Sequence, residues 1–156
     1  MKRAEKEIRN RVEIDEILKD AQICRIALAR DTEPYIVPLF FGYDGARVYF
    51  HTANEGKKLD FIAANNRVCF EIERKVTLVP HESEACSWSA SYESVIGYGR
   101  ISEMPRTEDK VYALDQIMLK YSGRKWNYNQ SLIESVKVWC VEIDSLTGKR
   151  SKPGLI

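Results

Sequence analysis

Long apolar runs are missing from this 156-residue sequence, and histidines number only two. Nothing in it approaches the ~20 consecutive apolar residues that a bilayer-spanning helix needs, which excludes a helical membrane protein. Met1 to Arg11 is charged and holds no apolar stretch, so no secretory signal is expected and the cytoplasm is the expected location. The four cysteines, Cys24, Cys69, Cys86 and Cys140, are scattered without a C-x-x-C pair. Without export they predict no disulfides. His81 and Cys86 have no recognised zinc-ligand spacing, so no metal is expected. An excess of either charge is also absent: 24 Lys and Arg stand against 23 Asp and Glu, a formal net charge of +1. That balance argues against a dedicated nucleic-acid binder. Neither a P-loop nor a G-x-G-x-x-G run occurs, and there is no repeat or low-complexity segment.

What is present suits one globular domain over residues 1–156: hydrophobic residues make up 44% and charged residues 30% of the chain. Ile14, Ile17 and Leu18 fall on one face of a helix over Glu13–Ala21. Strands are expected at Ile23–Ala29, Tyr35–Tyr43 and Arg47–Thr52, the last two joined by an Asp44-Gly45 hairpin turn, so that the three make an antiparallel meander. Lys57–Asn65 reads as a helix and Arg67–Arg74 as an alternating strand. His81–Ala90 is polar and irregular. Tyr92–Glu103 is a long strand whose Gly97 and Gly99 predict a bulge or a barrel corner. Pro105 opens a helix to about Tyr121 with an apolar stripe, Val136–Ile143 is the last strand, and a basic tail follows from Leu146. Six strands with interspersed helices define an α+β antiparallel barrel with flanking helices.

Three features within Pro34–Lys58 break local rules. Lys57 and Lys58 stand at a helix start, where the dipole favours acidic residues by typically 0.3–1 kcal/mol. They are either a solvated surface pair or the partners of an anion. A phosphate would use the free turn amides, the Thr52 hydroxyl and both ammonium groups, with Gly56 letting the backbone approach. Pro38 lies inside an otherwise regular strand and cannot donate to a ladder, so that strand is an edge or is interrupted there. Either it is an ordinary edge, or the backbone of Val37 and Leu39 is left to bond a planar heteroaromatic. His51 is either a surface residue or a group that touches such a ring or its substrate, where a pKa near neutrality is useful.

Three runs here, Val37-Pro-Leu-x-Phe-Gly-Tyr, Val48-Tyr-Phe-His-Thr-Ala and Glu55-Gly-Lys-Lys-Leu, resemble the pyridoxamine 5'-phosphate oxidase-like FMN-binding split barrels. Within that family they resemble most the branch containing the 5-nitroimidazole resistance proteins. Arg67-Val-Cys-Phe-Glu, Tyr92-Glu-Ser-Val-Ile-Gly-Tyr-Gly and Thr147-Gly-Lys-Arg-Ser continue the likeness, in order, over nearly the whole chain. The resemblance implies a six-stranded antiparallel split β-barrel that binds FMN at a homodimer interface. It places Val37, Pro38 and Leu39 along the flavin edge, and Phe50, His51 and Thr52 between ring and phosphate. Lys57 and Lys58 fall at the phosphate clamp, where the oxidases carry Arg-Lys. Ser94 falls where those oxidases have a Gln that reaches the flavin, and Lys149 approaches from the partner. Trp88 is either a cap on that pocket or a dimer or core aromatic. The C-terminal Gly148-Lys-Arg-Ser-Lys-Pro-Gly-Leu-Ile departs from the substrate-binding pattern of the oxidases, so pyridoxamine phosphate oxidation is not implied. The activity implied is reduction of a small electrophile such as a nitroaromatic, with His51 the catalytic candidate. The alternatives are a non-catalytic FMN carrier or sensor, or a split barrel holding haem or a deazaflavin.

Overall fold

The computed structural model describes residues 4–151. Its elements are β1 (Glu7–Ile8), α1 (Arg11–Asp20), β2 (Cys24–Arg30), β3 (Glu33–Leu39), β4 (Gly42–Tyr43), β5 (Arg47–Ala53), α2 (Lys57–Ala64), β6 (Arg67–Val79), β7 (Ser89–Glu103), α3 (Thr107–Ser122), α4 (Gln130–Glu134) and β8 (Val136–Ser151). Single 3-10 turns lie at Ala4–Lys6 and Ala85–Ser87. The strands form one antiparallel sheet in the order β3-β2-β6-β7-β8-β5-β4, with β1 paired to the end of β8. Six of the eight strands are seven residues or longer, and β1 and β4 are two-residue additions.

β3 and β4 are consecutive in the chain yet lie at opposite ends of the sheet. Phe40 and Phe41 therefore cross from one edge to the other, which requires the sheet to curl into a barrel left open at that seam. Phe41 anchors the crossing: its side chain is fully buried, and its N–H donates to Tyr121 Oη at 3.1 Å. Phe40 stays outside, edge-on to Tyr121. The single strand expected over Tyr35–Tyr43 is thus two, and the three-strand meander does not form. Pro34 and Pro38 supply the reason: neither can donate to a ladder, so β3 takes an outermost position, paired only with β2.

Two further boundaries differ from expectation. β6 runs past Arg74 to Val79 and β7 starts at Ser89 rather than Tyr92, and the irregular residues 80–88 between them form the tip of a long hairpin. The basic tail from Leu146 is strand to Ser151, because β8 follows β7 along its full length. The expected bulge is present between Tyr98 and Gly99, where a Cβ on Gly99 would lie 2.2 Å from the Glu142 carbonyl oxygen. A Cβ on Gly97 would strike the Phe70 ring, so the barrel turns there over an aromatic plug.

The barrel interior holds Ile26, Phe61, Phe70, Ile72 and Val95, and α1 covers one end with Ile14, Ile17 and Leu18. Each such burial contributes roughly 1.5–3 kcal/mol before the entropy of ordering is set against it. Asn10 caps α1 by accepting the Val12 N–H at 2.9 Å, and the Lys120 ammonium bonds the Leu18 and Lys19 carbonyls at its other end. A buried carboxylate, Glu93, ties the layers together. It accepts from Arg74 and Arg150, both at 2.7 Å, while Arg74 also pairs with Asp20 and Arg150 with Glu13 on α1.

Candidate functional site

The outer edge of β3 carries no partner strand among the described residues. Along it Val37 and Leu39 turn half-buried side chains to the core while Pro38 faces out. The reading of Pro38 as an edge marker therefore holds.

β5 leads from the sheet to the start of α2. Its alternation buries Phe50 and Thr52 and exposes His51. Phe50 is 1% exposed, so its ring belongs to the core and the residue can offer a ligand only backbone. The Thr52 hydroxyl donates to the Ala53 carbonyl at 2.8 Å and accepts the Trp139 indole N–H at 3.1 Å. Its one hydrogen is thus engaged within the chain. His51 is exposed as a residue, but its ring is partly enclosed. That desolvation, and secondarily the Lys58 ammonium, hold its pKa below the ordinary histidine value, so the neutral imidazole dominates at neutral pH.

Gly56 is the N-cap of α2, with φ at +132°, a conformation that favours glycine, and open space where a Cβ would project. It makes no side-chain cap, and Leu59 N–H turns back to its carbonyl at 2.9 Å. The first turn thus presents amides without a side-chain acceptor, next to two ammonium groups. The lysines diverge from there. Lys58 is half-buried and acts on His51, whereas Lys57 is exposed and bonds the Glu33 carboxylate at 2.7 Å. Lys57 also sits 5.1 Å from the Tyr35 ring centre and 5.4 Å from that of Phe61. Lys57 and Arg30 hold the Glu33 carboxyl below the usual carboxylate range despite some desolvation. Glu33, Arg30 and Tyr35 were not legible as site residues, because they lie over twenty residues before Lys57. The Asp31-Thr32 turn closed by an Arg30–Glu33 cross-strand pair was the available signal.

Ser94 and Lys149 come together as a cross-strand pair. With Glu7, Ile96 and Thr147 they line a cavity of about 240 Å³, and the Lys149 ammonium lies 5.4 Å from the centre of the Tyr92 ring. Within one chain this corner is remote from α2: Thr52 pairs with Lys137 at the start of β8, and Ser94 with Lys149 near its end. Trp88 is on the β6–β7 hairpin tip, 54% exposed, its indole N–H bonded to the His81 carbonyl, and is not a core aromatic. Among the described residues no group of three or more potential metal ligands occurs, and no helix is long and apolar enough to cross a membrane.

A split antiparallel barrel with an uncapped, lysine-bearing helix start beside an open sheet edge defines the class of protein. Residues 10–150 match the family model described as pyridoxamine 5'-phosphate oxidase, and the chain belongs to that family. The solved structure of a candidate 5-nitroimidazole antibiotic resistance protein from Bacteroides thetaiotaomicron is 32% identical, with a TM-score of 0.82. The match covers 92% of this chain and 86% of that one. An FAD- and haem-binding protein from Mycobacterium smegmatis shares the fold at 18% identity, TM-score 0.82, over 94% of this chain and 74% of its own. A second protein of that organism, described as FAD-binding, is 25% identical with a TM-score of 0.64, over 95% and 99% of the two chains.

Proposed function

We propose that the chain is a homodimeric cytoplasmic flavoprotein that holds FMN by its phosphate at the start of α2 and passes electrons to a small electrophile. The observation that carries this reading is the Gly56-Lys57-Lys58 corner: first-turn amides without a side-chain cap, and a lysine at each of the first two helical positions. The edge at Val37, Pro38 and Leu39, with no strand beyond it among the described residues, is where the polar rim of a flavin ring would lie on this reading. When bound, the flavin supplies the two-electron chemistry; the chain binds, orients and excludes water. On this reading His51, held neutral by desolvation and by Lys58, hydrogen-bonds a substrate oxygen such as that of a nitro group.

The separation of the two corners supports the dimer reading. Twelve positions of β8 between Lys137 and Lys149 amount to a contour of up to ~40 Å. On this reading Ser94 and Lys149 serve the phosphate end of the cofactor held by Lys57 and Lys58 from a second copy. The exposed Ile96 and Tyr98 beside them, 41% and 50% exposed, are the apolar surface such a copy would cover.

The test is the absorption spectrum of the purified protein, then anaerobic reduction by NADH or NADPH and mixing with a nitroimidazole. Reoxidation faster than that of free reduced FMN supports the enzyme reading. Flavin that no acceptor reoxidises faster leaves a carrier or sensor, and a Soret band replaces the flavin with haem. The 18%-identical relative that binds FAD and haem keeps those two cofactors as the second reading.

A further inference from the structure

The Glu33 carboxylate is bracketed by two cations from different elements. Lys57 Nζ donates to Oε1 at 2.7 Å, and Arg30 Nη2 donates to Oε2 at 3.2 Å. Arg30 to Glu33 is an ordinary pair across the β2–β3 turn, but Lys57 arrives from a helix 24 residues further on. The cations do not depend on Glu33 for their positions. Arg30 lies 4.8 Å from the centre of the Phe61 ring, and Lys57 packs against Tyr35 and Phe61, whose ring centres are 5.1 Å apart. The carboxylate, by contrast, is a side chain at a hairpin tip, 45% exposed, held by surface ion pairs of the kind that break readily. Lys57 is also the first residue of α2, adjacent to the uncapped amides.

We propose that Arg30 and Lys57 form an anion subsite in which the Glu33 carboxylate stands in for the cofactor's phosphoryl group and leaves when that group arrives. The inference rests on the phosphate assignment made above and adds two residues to it. Arg30 supplies the planar guanidinium that the Lys57-Lys58 pair lacks. Glu33 sets the affinity by competition: a phosphoryl group must displace a tethered carboxylate before it meets both cations. The effect is specific to phosphate, because no part of the cluster belongs to the β3 edge segment Val37–Leu39 assigned to the ring.

Apo-protein titrated with FMN and with riboflavin, following quenching of flavin fluorescence, separates these claims. Glu33→Gln removes the competing charge and keeps the shape, so FMN is expected to bind about fivefold tighter while riboflavin affinity stays the same. Arg30→Gln is expected to weaken FMN by a similar factor and again leave riboflavin unchanged. Neither variant should alter thermal unfolding by more than a few degrees, since all three groups are at the surface. Glu33→Gln binding FMN no tighter than wild type, or shifting riboflavin by the same factor, overturns the proposal. A Lys57→Ala/Lys58→Ala protein run alongside keeps the two readings apart. If it loses FMN while Glu33→Gln changes nothing, only the stand-in role fails. If it retains FMN at wild-type affinity, the phosphate assignment fails and the proposal with it.

Discussion

Replacing Lys57 and Lys58 together by alanine removes both cations from the start of α2 and leaves its backbone unchanged. A charge-assisted hydrogen bond contributes about 1.5–3 kcal/mol when shielded, and less when it is exposed and screened. Lys57 is 55% exposed and already shared with Glu33, so it belongs at or below the low end; the half-buried Lys58 belongs higher. Together they come to about 3 kcal/mol, or on the order of a hundredfold in FMN affinity. The helix should survive: alanine has the higher helix propensity, and removing positive charge from an N-terminus is favourable. Equilibrium dialysis against FMN, with circular dichroism as the control for folding, reads both quantities. FMN retained at wild-type affinity by a folded double variant would refute the electrostatic reasoning. An equal loss of riboflavin, which has no phosphate, would also refute it.

Other expected outcomes concern the frame and the second copy. Burial opposes the charge of Glu93, but hydrogen bonds from Arg74 and Arg150 outweigh it and leave its carboxyl below the usual carboxylate range. Because the folded pKa is the lower one, its contribution is present at neutral pH and is lost as pH falls through and below the carboxylate range. Glu93→Gln should therefore cost about 2–4 kcal/mol in urea unfolding at pH 7, and markedly less at pH 3. The His51 ring should titrate by NMR below 6.5; in Lys58→Ala its midpoint should rise without reaching that value, because burial is the larger cause. A full return to 6.5 would reverse that ranking. Tyr98→Asp should shift sedimentation towards the monomer with loss of flavin, whereas a monomeric variant that still holds FMN would remove the shared-site argument.

Local rules reached far into this fold. Pro38 marked an edge, Gly97 and Gly99 marked the barrel corner, and Lys57-Lys58 drew attention because they contradict the helix dipole. What stayed hidden depends on closure of the whole sheet. A proline says that a strand is outermost but not which strand lies across the seam, so the break at Phe40 could not be placed. Leu146–Ser151 read as a tail because it is basic and leads into a Gly- and Pro-bearing end. It is strand because β7 already offers it a ladder, and because Glu93 and Glu13 take Arg150. The bond that Thr52 accepts from the Trp139 indole also joins residues that no spacing along the chain relates. The Arg30–Glu33–Lys57 cluster joins a hairpin to a helix, which no spacing along the chain could indicate.

The most direct measurement is a crystal structure of the chain grown with FMN. The account requires the phosphate at the Gly56–Lys58 amides, flanked by Lys57 and Lys58, with the ring along Val37, Pro38 and Leu39. A phosphate bound at any other corner of the barrel, with the start of α2 empty, would contradict it.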